Sequence, residues 1–234
     1  MASIYSNLFQ KKISREASLA VLIDPDKFET VNATQFFDSL PSYVTAIFVG
    51  GSVVEKFKTE EVVVLIKKYS NLPVILFPGN HSQITEKADA LLFLSLISGR
   101  NPEYLIEQQV KSAGQLKNST LEIIPTGYIL IDGGNECAVH RVSNTLPISQ
   151  NDVETIVNTA FAGELSGKKL IYLEAGSGAK IPVSTEIISK VRENISIPLI
   201  VGGGIRSKSQ LEDAYKAGAD IVVIGTAFEN NTFS

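Results

Sequence analysis

The segment "IVGGGIRS", residues 200–207, decides the fold, because an apolar run passes directly into three consecutive glycines. A glycine triplet carries a large entropic cost on folding, so the folded protein must need a close approach to its backbone. A helical pattern follows over residues 207–218, so the segment indicates a strand, a glycine-rich turn and a helix in succession. A turn of this kind commonly directs free N–H groups at an anion.

Eight segments of the chain have this apolar character, and helical patterns separate them. Mostly Val, Ile and Leu with little alternation, they are typical of strands buried on both faces of a parallel sheet. Eight strand–helix units predict an α/β protein with a closed (β/α)8 TIM barrel, and an open doubly wound sheet is the alternative. The segments are "LAVLID" from Leu19, "TAIFVGG" from Thr45, "PVILFPG" from Pro73, "ALLFLSLI" from Ala90, "EIIPTGYILI" from Glu122, "KLIYLEAG" from Lys169, "PLIVGGG" from Pro198 and "DIVVIGTA" from Asp220.

The helical patterns carry signals for where each helix begins and ends. We expect one helix to begin at Glu29 and another to be capped by Thr59. Asn151 and Ser209 each precede a glutamate by three residues, which predicts a capping box at both positions. Gly218 is expected just after the end of its helix, in a left-handed conformation.

A single TIM-barrel domain over residues 1–234 is expected, since barrels of this length commonly fold as one unit. The chain ends soon after the eighth strand, so the eighth helix is expected to be incomplete. Near the N-terminus, Ile4, Leu8 and Ile13 lie on one helical face, which predicts a helix covering the bottom of the barrel. A transient contact of this helix with a membrane surface is the alternative. The polar connection over residues 132–150 is longer than usual, which is often a functional feature.

Composition and charge exclude several classes of protein. The chain is 44% hydrophobic with a net charge of −4, and its Lys and Arg are interspersed with acidic residues. It therefore lacks the clustered basic residues expected of a nucleic-acid-binding protein. No apolar run is long enough to span a bilayer. Cys137 is the single cysteine, so an intrachain disulfide is excluded and a cytoplasmic location is predicted.

Three neighbouring strands end in glycine-rich turns. In TIM barrels the loops after strands seven and eight commonly hold a phosphate group. Those loops begin here at Gly202–Gly204 and at Gly225–Thr226, and strand six ends in "YLEAGSGAK", residues 172–180. We expect the three turns to form one phosphate cradle, with Gly203 and Gly204 in contact and Gly202 serving the turn; ordinary tight turns are the alternative. Arg206 is either the counter-charge of the phosphate or a surface residue.

The opposite end of the predicted site is acidic. Strand one ends in "LIDPDKF", where Asp24 and Asp26 flank a proline, and Ser52 follows the glycines at the end of strand two. Hard oxygen ligands of this kind suit Mg²⁺, often with substrate phosphates completing its coordination. The sequence therefore predicts a phosphate at one end of the site and magnesium at the other.

Taken together, these motifs resemble the geranylgeranylglyceryl phosphate synthase family, which includes the bacterial heptaprenylglyceryl phosphate synthases. The resemblance implies a TIM-barrel prenyltransferase that moves a polyprenyl group, here geranylgeranyl, from its diphosphate to the C3 hydroxyl of sn-glycerol 1-phosphate. It further implies release of pyrophosphate, a role in ether phospholipid synthesis, Mg²⁺ as cofactor, and a homo-oligomer, either a dimer or a hexamer. Leu22 stands where some members have a lysine, which is similar to the archaeal-type second group. The segments that carry the resemblance are "LIDPDK" at 22–27, "FVGGS" at 48–52, "YLEAGSGA" at 172–179, "VGGGIR" at 201–206 and "IGTAFE" at 224–229.

The same resemblance implies individual site residues. Asp24 and Ser52 match the family's magnesium positions. The positions that match its glycerol-phosphate site are Tyr172, Leu173, Glu174, Ala175, Gly176, Ser177, Gly178, Gly203, Gly204, Gly225 and Thr226.

A mechanistic hypothesis assigns catalysis to Glu174, Tyr172 and Asp24. Glu174 is expected to accept the proton of the attacking glycerol hydroxyl or to orient it, and an ion pair with Lys180 or Arg206 is the alternative. Tyr172 and Tyr128 would position the glycerol or face the developing positive charge, although either could be a core residue. Strands two to four and the helix from Pro102, which contains Tyr104, are expected to wall the prenyl groove.

Two other functions stay open from the residues alone. A sugar-phosphate isomerase or aldolase would use the same barrel and phosphate cradle, but it needs a second acid–base partner or a Schiff-base lysine at a strand end. A non-catalytic phosphate-binding barrel would explain the glycines, but it gives no role to "DPDK" opposite "EAGSGA".

Overall fold

Eight parallel strands close into a barrel in this computed structural model, which describes residues 3–29, 31, 33–230 and 232–234. Each strand pairs with the next in chain order, and β1 also pairs with β8 through registers such as Ala20 with Val223. The predicted TIM barrel is therefore confirmed, and the open doubly wound sheet is excluded. The strands are β1 (Ser18–Ile23), β2 (Val44–Val49), β3 (Val74–Leu76), β4 (Ala90–Leu96), β5 (Glu122–Leu130), β6 (Leu170–Glu174), β7 (Leu199–Gly202) and β8 (Ile221–Ile224).

Helices connect the strands and surround the barrel. A 3₁₀ turn at His81–Gln83 follows β3, and a π-helical segment at Glu103–Glu107 leads into the helix after β4. The helices are α1 (Ile4–Ser14), α2 (Ala33–Ser39), α3 (Lys58–Tyr69), α4 (Gln108–Leu116), α5 (Ala138–Ser143), α6 (Val153–Leu165), α7 (Thr185–Asn194), α8 (Lys208–Lys216) and α9 (Thr226–Glu229).

Several predicted helix starts are wrong by one or more residues. Asp152, not Asn151, caps α6, and Ser207, not Ser209, caps α8. Thr59 is buried in the first turn of α3, which begins after Phe57 without a side-chain cap. At α6 and α8 the predicted and the observed caps are neighbouring polar residues, which local signals alone do not distinguish.

The start of α2 differs from the prediction, whereas the end of α8 agrees with it. α2 begins at Ala33 and not at Glu29, while residues 30 and 32 of the predicted segment lie outside the described residues. Gly218 follows α8 with a φ of 110°, as predicted. The long connection over residues 132–150 contains the short helix α5 and a bridge between Ile131 and Ile148.

Apolar side chains form two layers. An outer layer lies between the strands and the surrounding helices and includes Leu173 and Val201. An inner layer fills the barrel and includes Phe48, Tyr128 and Tyr172. Because β-strand side chains alternate between these two layers, each strand reads as a continuous apolar run in the sequence.

The N-terminal helix covers the bottom of the barrel, as predicted, but the predicted face is only partly confirmed, because Ile13 is 59% exposed. Ile4 and Leu8 pack against the inner core layer. The carboxylate of Glu122, at the start of β5, accepts the backbone N–H groups of Ile4 at 2.5 Å and Tyr5 at 2.8 Å. These bonds satisfy donors at the helix start that lack a partner within the helix. Within the described ranges, every helix is too short or too polar to cross a membrane.

The eighth helix is incomplete, as predicted. α9 has four residues, and the segment of residues 232–234 contacts the loop after β7. The backbone of Ser234 pairs with the Lys208 N–H at 2.7 Å and with the Arg206 carbonyl at 3.2 Å. Phe233 stacks on Phe228 with ring centroids 5.0 Å apart, which fixes the segment in place of a longer helix.

Candidate active site

A cleft of about 750 Å³ opens at the carboxyl ends of the barrel strands. The predicted residues Asp24, Ser52 and Glu174 line it, as do the glycine-rich turns after β7 and β8. The same cleft continues along Phe77 and apolar residues of β4. It therefore joins a polar site to an apolar channel, and carboxyl strand ends are where TIM barrels hold their active sites.

Glu174 is a buried carboxyl group at the end of β6. Its side chain is 6% exposed, and its Oε1 accepts the backbone N–H of Gly176 at 2.7 Å. Burial raises the pKa of Glu174 to about 7, against a smaller lowering by the Gly176 N–H and the Tyr172 hydroxyl. Among the described residues, neither Lys180 nor Arg206 forms the predicted alternative ion pair with Glu174, and Arg206 instead contacts the Ala179 carbonyl. The group is therefore poised to exchange a proton near neutral pH.

Arg206 braces two loops of the site. Its Nη2 donates to the carbonyl of Ala179 at 2.6 Å, and its backbone N–H donates to Gln210 at 2.8 Å. The guanidinium also lines the cleft. The sequence left two interpretations open, a counter-charge of the phosphate or a surface residue. The structure adds a third, in which Arg206 connects the turn after β7 to the turn after β6.

Aromatic side chains form the floor of the cleft. The ring of Tyr172 lies 5.2 Å from Phe77 and 5.3 Å from Tyr128, measured between centroids. Burial raises the pKa of both tyrosines well above the usual value, so their hydroxyls stay protonated. Within the described part of the chain, the Tyr172 hydroxyl has no hydrogen-bond partner of good geometry. Tyr172 and Tyr128 therefore belong both to the core and to the cleft.

The first two glycines of the triplet pack directly against the side chain of Glu174. A Cβ atom at Gly202 would lie 2.5 Å from the Tyr172 hydroxyl oxygen and 2.9 Å from Glu174 Oε2. A Cβ atom at Gly203 would lie 2.5 Å from Glu174 Oε1. Gly203 and Gly204 have positive φ angles, 86° and 76°, whereas Gly202 is the last residue of β7. The prediction that Gly202 serves the turn is therefore wrong, because its missing side chain makes room for Tyr172 and Glu174.

The turns after β6, β7 and β8 meet at one side of the cleft. Ser177 Oγ and Thr226 Oγ1 lie 3.3 Å apart, which joins the turn after β6 to the start of α9. Gly178 has a φ of 73° and open space around it. The residues of this side that line the cleft are Ser177, Gly178, Gly203, Gly204, Gly225 and Thr226.

Three residues of the predicted glycerol-phosphate set do not line the cleft. The side chain of Leu173 lies in the outer core layer, on the opposite face of β6 from Tyr172 and Glu174. The backbone N–H of Ala175 donates to the Gly202 carbonyl at 3.0 Å, and that of Gly176 donates to Glu174. Leu173 therefore packs in the core behind the site, and Ala175 and Gly176 hold β7 and Glu174 in place through their backbone N–H groups.

The acidic end lies at the carboxyl ends of β1 and β2. Asp24 Oδ2 pairs with Lys27 Nζ at 2.7 Å, and Asp24 Oδ1 accepts the backbone N–H of Asp26 at 3.2 Å. A Cβ atom at Gly51 would lie 3.0 Å from that Oδ1, so the glycine before Ser52 lets the turn after β2 approach the carboxylate. Ser52 lines the same cleft.

Sequence reasoning missed Glu229 as a site residue. Its Oε1 accepts the backbone N–H of Asp24 at 3.3 Å, and its side chain lines the cleft. Burial raises the pKa of Glu229, while the Asp24 N–H and the Lys27 charge lower it. The only signal in the sequence was the position of this glutamate four residues after Gly225, which places it on α9.

The donor set at the acidic end fits magnesium. Within residues 3–29, 31, 33–230 and 232–234, His, Cys, Asp and Glu side chains do not form a group of three that could hold a metal ion. Magnesium usually keeps several waters and takes one or two carboxylates together with substrate phosphates, so a larger group is not required. The Lys27 ammonium against Asp24 Oδ2 also shows that this oxygen accepts a positive charge.

We predict that Gly202→Ala destabilises the protein by about 1–3 kcal/mol, because the new methyl group displaces Tyr172 and Glu174 from packed positions. Urea denaturation measures the change. Gly114→Ala is the matched control, since a Cβ atom there meets nothing within 4 Å and alanine favours the helix. An alanine at 202 that leaves the free energy of unfolding unchanged would contradict this account.

We also predict that Glu174→Gln stabilises the protein at pH 8 more than at pH 5. The folded carboxyl keeps its proton up to about pH 7, whereas the ordinary value is 4.5, so wild-type stability falls as pH rises through this window. This difference in pKa corresponds to about 3 kcal/mol of folding stability that the wild type loses on ionisation. A glutamine at this position does not ionise and so does not lose it. Urea denaturation at both pH values measures it. Glu136→Gln, exposed on the same cleft, is the control, and equal effects of Glu174→Gln at both pH values would refute the prediction.

The amino-acid sequence is similar to one known protein family and to named relatives. Residues 11–233 match the PcrB family. A relative from Zunongwangia profunda, named geranylgeranylglyceryl phosphate synthase, is 63% identical and covers 92% of each chain. One of the same name from Flavobacterium johnsoniae is 52% identical over 99% of this chain and 96% of its own.

Solved structures agree with these relatives. The crystal structure of (S)-3-O-geranylgeranylglyceryl phosphate synthase from Thermoplasma acidophilum, in complex with sn-glycerol-1-phosphate, superposes with a TM-score of 0.89. It is 32% identical, and the match covers 98% of this chain and 92% of that one. The resemblance that the motifs predicted is thereby confirmed. Because the family model matches residues 11–233 and a named relative is 63% identical, the chain belongs to the PcrB family.

Proposed function

We propose that this protein is a prenyltransferase that joins a polyprenyl group, geranylgeranyl, to the C3 hydroxyl of sn-glycerol 1-phosphate and releases pyrophosphate. One observation carries the proposal: a buried carboxyl of near-neutral pKa, Glu174, lies in a cleft between a glycine-rich side and an apolar channel. The names of the family relatives support the same reaction.

Glycerol 1-phosphate would bind on the glycine-rich side. Gly203 and Gly204 line that side with positive φ angles, and the hydroxyls of Ser177 and Thr226 lie together at the same side. Backbone N–H groups and hydroxyls are the donors that phosphate oxygens accept. We assign the phosphate to this side, with Gly225 completing the turn after β8.

Glu174 would act on the glycerol hydroxyl. Above a pH of about 7 it is ionised and accepts the proton as the hydroxyl attacks the allylic carbon. The Gly176 N–H holds one oxygen of the carboxylate, which leaves Oε2 toward Tyr172. The Tyr172 hydroxyl, which lowers the pKa of Glu174 but has no hydrogen bond of good geometry among the described residues, would orient the carboxylate or the glycerol.

Asp24 and Ser52 would hold Mg²⁺ at the diphosphate end. The bound ion would supply Lewis-acid neutralisation of the leaving diphosphate. Two hydrogen bonds hold Asp24 for this role. The Asp26 N–H donates to its Oδ1, and the backbone N–H of Asp24 donates to the Glu229 carboxylate. These contacts fix the carboxylate before any cation arrives.

Aromatic faces would stabilise positive charge that develops on the allylic carbon. Phe77, Tyr128 and Tyr172 form one cluster that lines the cleft together with Asp24 and Glu174. A cation over such rings is favoured by roughly 0.5–2 kcal/mol, depending on how dry the site is. The prenyl chain would then lie along β4 and Tyr104, whose side chains line the rest of the cleft.

A homo-oligomer in the cytoplasm, a dimer or a hexamer, remains part of the proposal. Phe161 and Leu165 of α6 are 45% and 72% exposed, which supports burial against a second copy. A transient contact with a membrane surface is also retained, because the proposed product is a lipid.

The isomerase or aldolase alternative gains no support from the cleft. Among the described residues that line it, Lys27 is the one lysine, and its ammonium is paired with Asp24. A Schiff base requires a lysine that is free to lose its proton, and the neighbouring carboxylates instead raise the pKa of Lys27.

The test of this function is incubation with labelled sn-glycerol 1-phosphate and prenyl diphosphates of graded length, with Mg²⁺ or with a chelator. We expect a lipid-soluble product only with metal, and none from Asp24→Ala. Asp26→Ala, which changes the neighbouring exposed carboxylate, is the control and should keep substantial activity. Absence of product at every chain length would overturn the proposal.

Glu174→Gln should lower turnover about 10²- to 10⁴-fold, as expected for loss of a general base. The wild-type rate should rise with pH through about 7, where Glu174 loses its proton. Steady-state kinetics from pH 5.5 to 8.5 measure both effects, with Glu136→Gln as the control. A wild-type rate that is flat across this range would remove the proposed base.

A further inference from the structure

Lys27 occupies the oxygen of Asp24 that the proposed metal would need. Its Nζ lies 2.7 Å from Asp24 Oδ2, and the other oxygen, Oδ1, already accepts the Asp26 N–H beside Gly51. The Asp24 side chain is 19% exposed, and Lys27 Nζ lies on the one of its two oxygens that does not accept the Asp26 N–H. A divalent cation and the Lys27 ammonium therefore compete for the same oxygen.

The turn after β1 keeps Lys27 close to the site whether or not it contacts Asp24. The backbone N–H groups of Lys27 and Phe28 both donate to the Asp24 carbonyl, at 3.0 and 3.1 Å. The Lys27 side chain is 60% exposed and flexible, so its ammonium can rotate while its backbone stays fixed. A displaced ammonium would remain within the mouth of the cleft, which Lys27 lines.

We propose that Lys27 is a diphosphate-binding residue that exchanges partners: it neutralises Asp24 in the free protein and passes to the prenyl diphosphate when the divalent cation takes Asp24. This inference rests on the proposed function. The ammonium and the cation repel each other at one carboxylate, whereas a diphosphate brings several acceptor oxygens to both. An ammonium on a flexible stem suits such an exchange better than a fixed guanidinium.

The exchange gives two effects of opposite sign, which a merely structural ion pair would not give. Removing the charge of Lys27 frees Asp24 and should tighten the binding of a divalent cation to the substrate-free protein. The same change removes a donor from the diphosphate and should weaken diphosphate binding. A structural pair would leave diphosphate binding unchanged.

The experiment compares wild type with Lys27→Met, which keeps the length of the stem, and with Lys27→Gln as a second variant. Mn²⁺ binding without substrate is measured by the electron paramagnetic resonance of free Mn²⁺, and inorganic pyrophosphate binding with Mg²⁺ is measured by calorimetry. We expect Mn²⁺ to bind about two- to fivefold tighter, which is the size of a partly exposed ion pair. Pyrophosphate should bind at least about tenfold more weakly, as for a lost bond to a charged group.

Lys56→Met is the matched control, because Lys56 lies in the loop after β2, over the Phe57 ring, and does not line the cleft. It should change neither binding constant, and thermal unfolding verifies that each variant is folded. Unchanged or weaker Mn²⁺ binding in both Lys27 variants, or unchanged pyrophosphate binding, would overturn the inference while leaving the proposed function standing. Wild-type protein that binds neither probe would overturn both.

Discussion

The pairing of β1 with β8 is the constraint on which the rest of the structure depends. It closes the sheet, so the carboxyl ends of eight strands form one ring and not an open edge. Closure brings Glu229 against the backbone of Asp24, although 205 residues separate them in the chain. It also places the acidic turn after β1 beside the start of α9, so the two chemically different ends of the cleft share one cavity.

Within that ring, one buried carboxyl group shapes its neighbours. Glu174 is costly to ionise where it lies, and the described residues supply one backbone N–H to its Oε1 and a nearby tyrosine hydroxyl. Gly202 and Gly203 lack side chains where those side chains would collide with Glu174 or Tyr172. Stability is thus given up to hold a proton acceptor of near-neutral pKa, a trade that is common at active sites.

Prediction from the sequence succeeded where the signal was long and repeated. All eight apolar runs became strands, because burial on both faces of a parallel sheet leaves the same pattern each time. It failed at helix starts such as Asp152 and Ser207, where adjacent polar residues are equally able to cap. It also missed Glu229, because a lone glutamate on a four-residue helix has no local pattern that distinguishes it from a surface residue.

The sequence by itself determined the barrel, the glycine-rich strand ends and the acidic turn, because periodicity and residue type are local properties. Only the tertiary structure decided what the segment "IVGGGIRS" is for. Gly202 accommodates Tyr172 and Glu174 of the neighbouring strand, and Arg206 braces the turn that follows it. Likewise, the contact of Glu229 with the backbone of Asp24 became known only from the three-dimensional arrangement. Contacts between strands depend on register and closure, and no single stretch of sequence contains either.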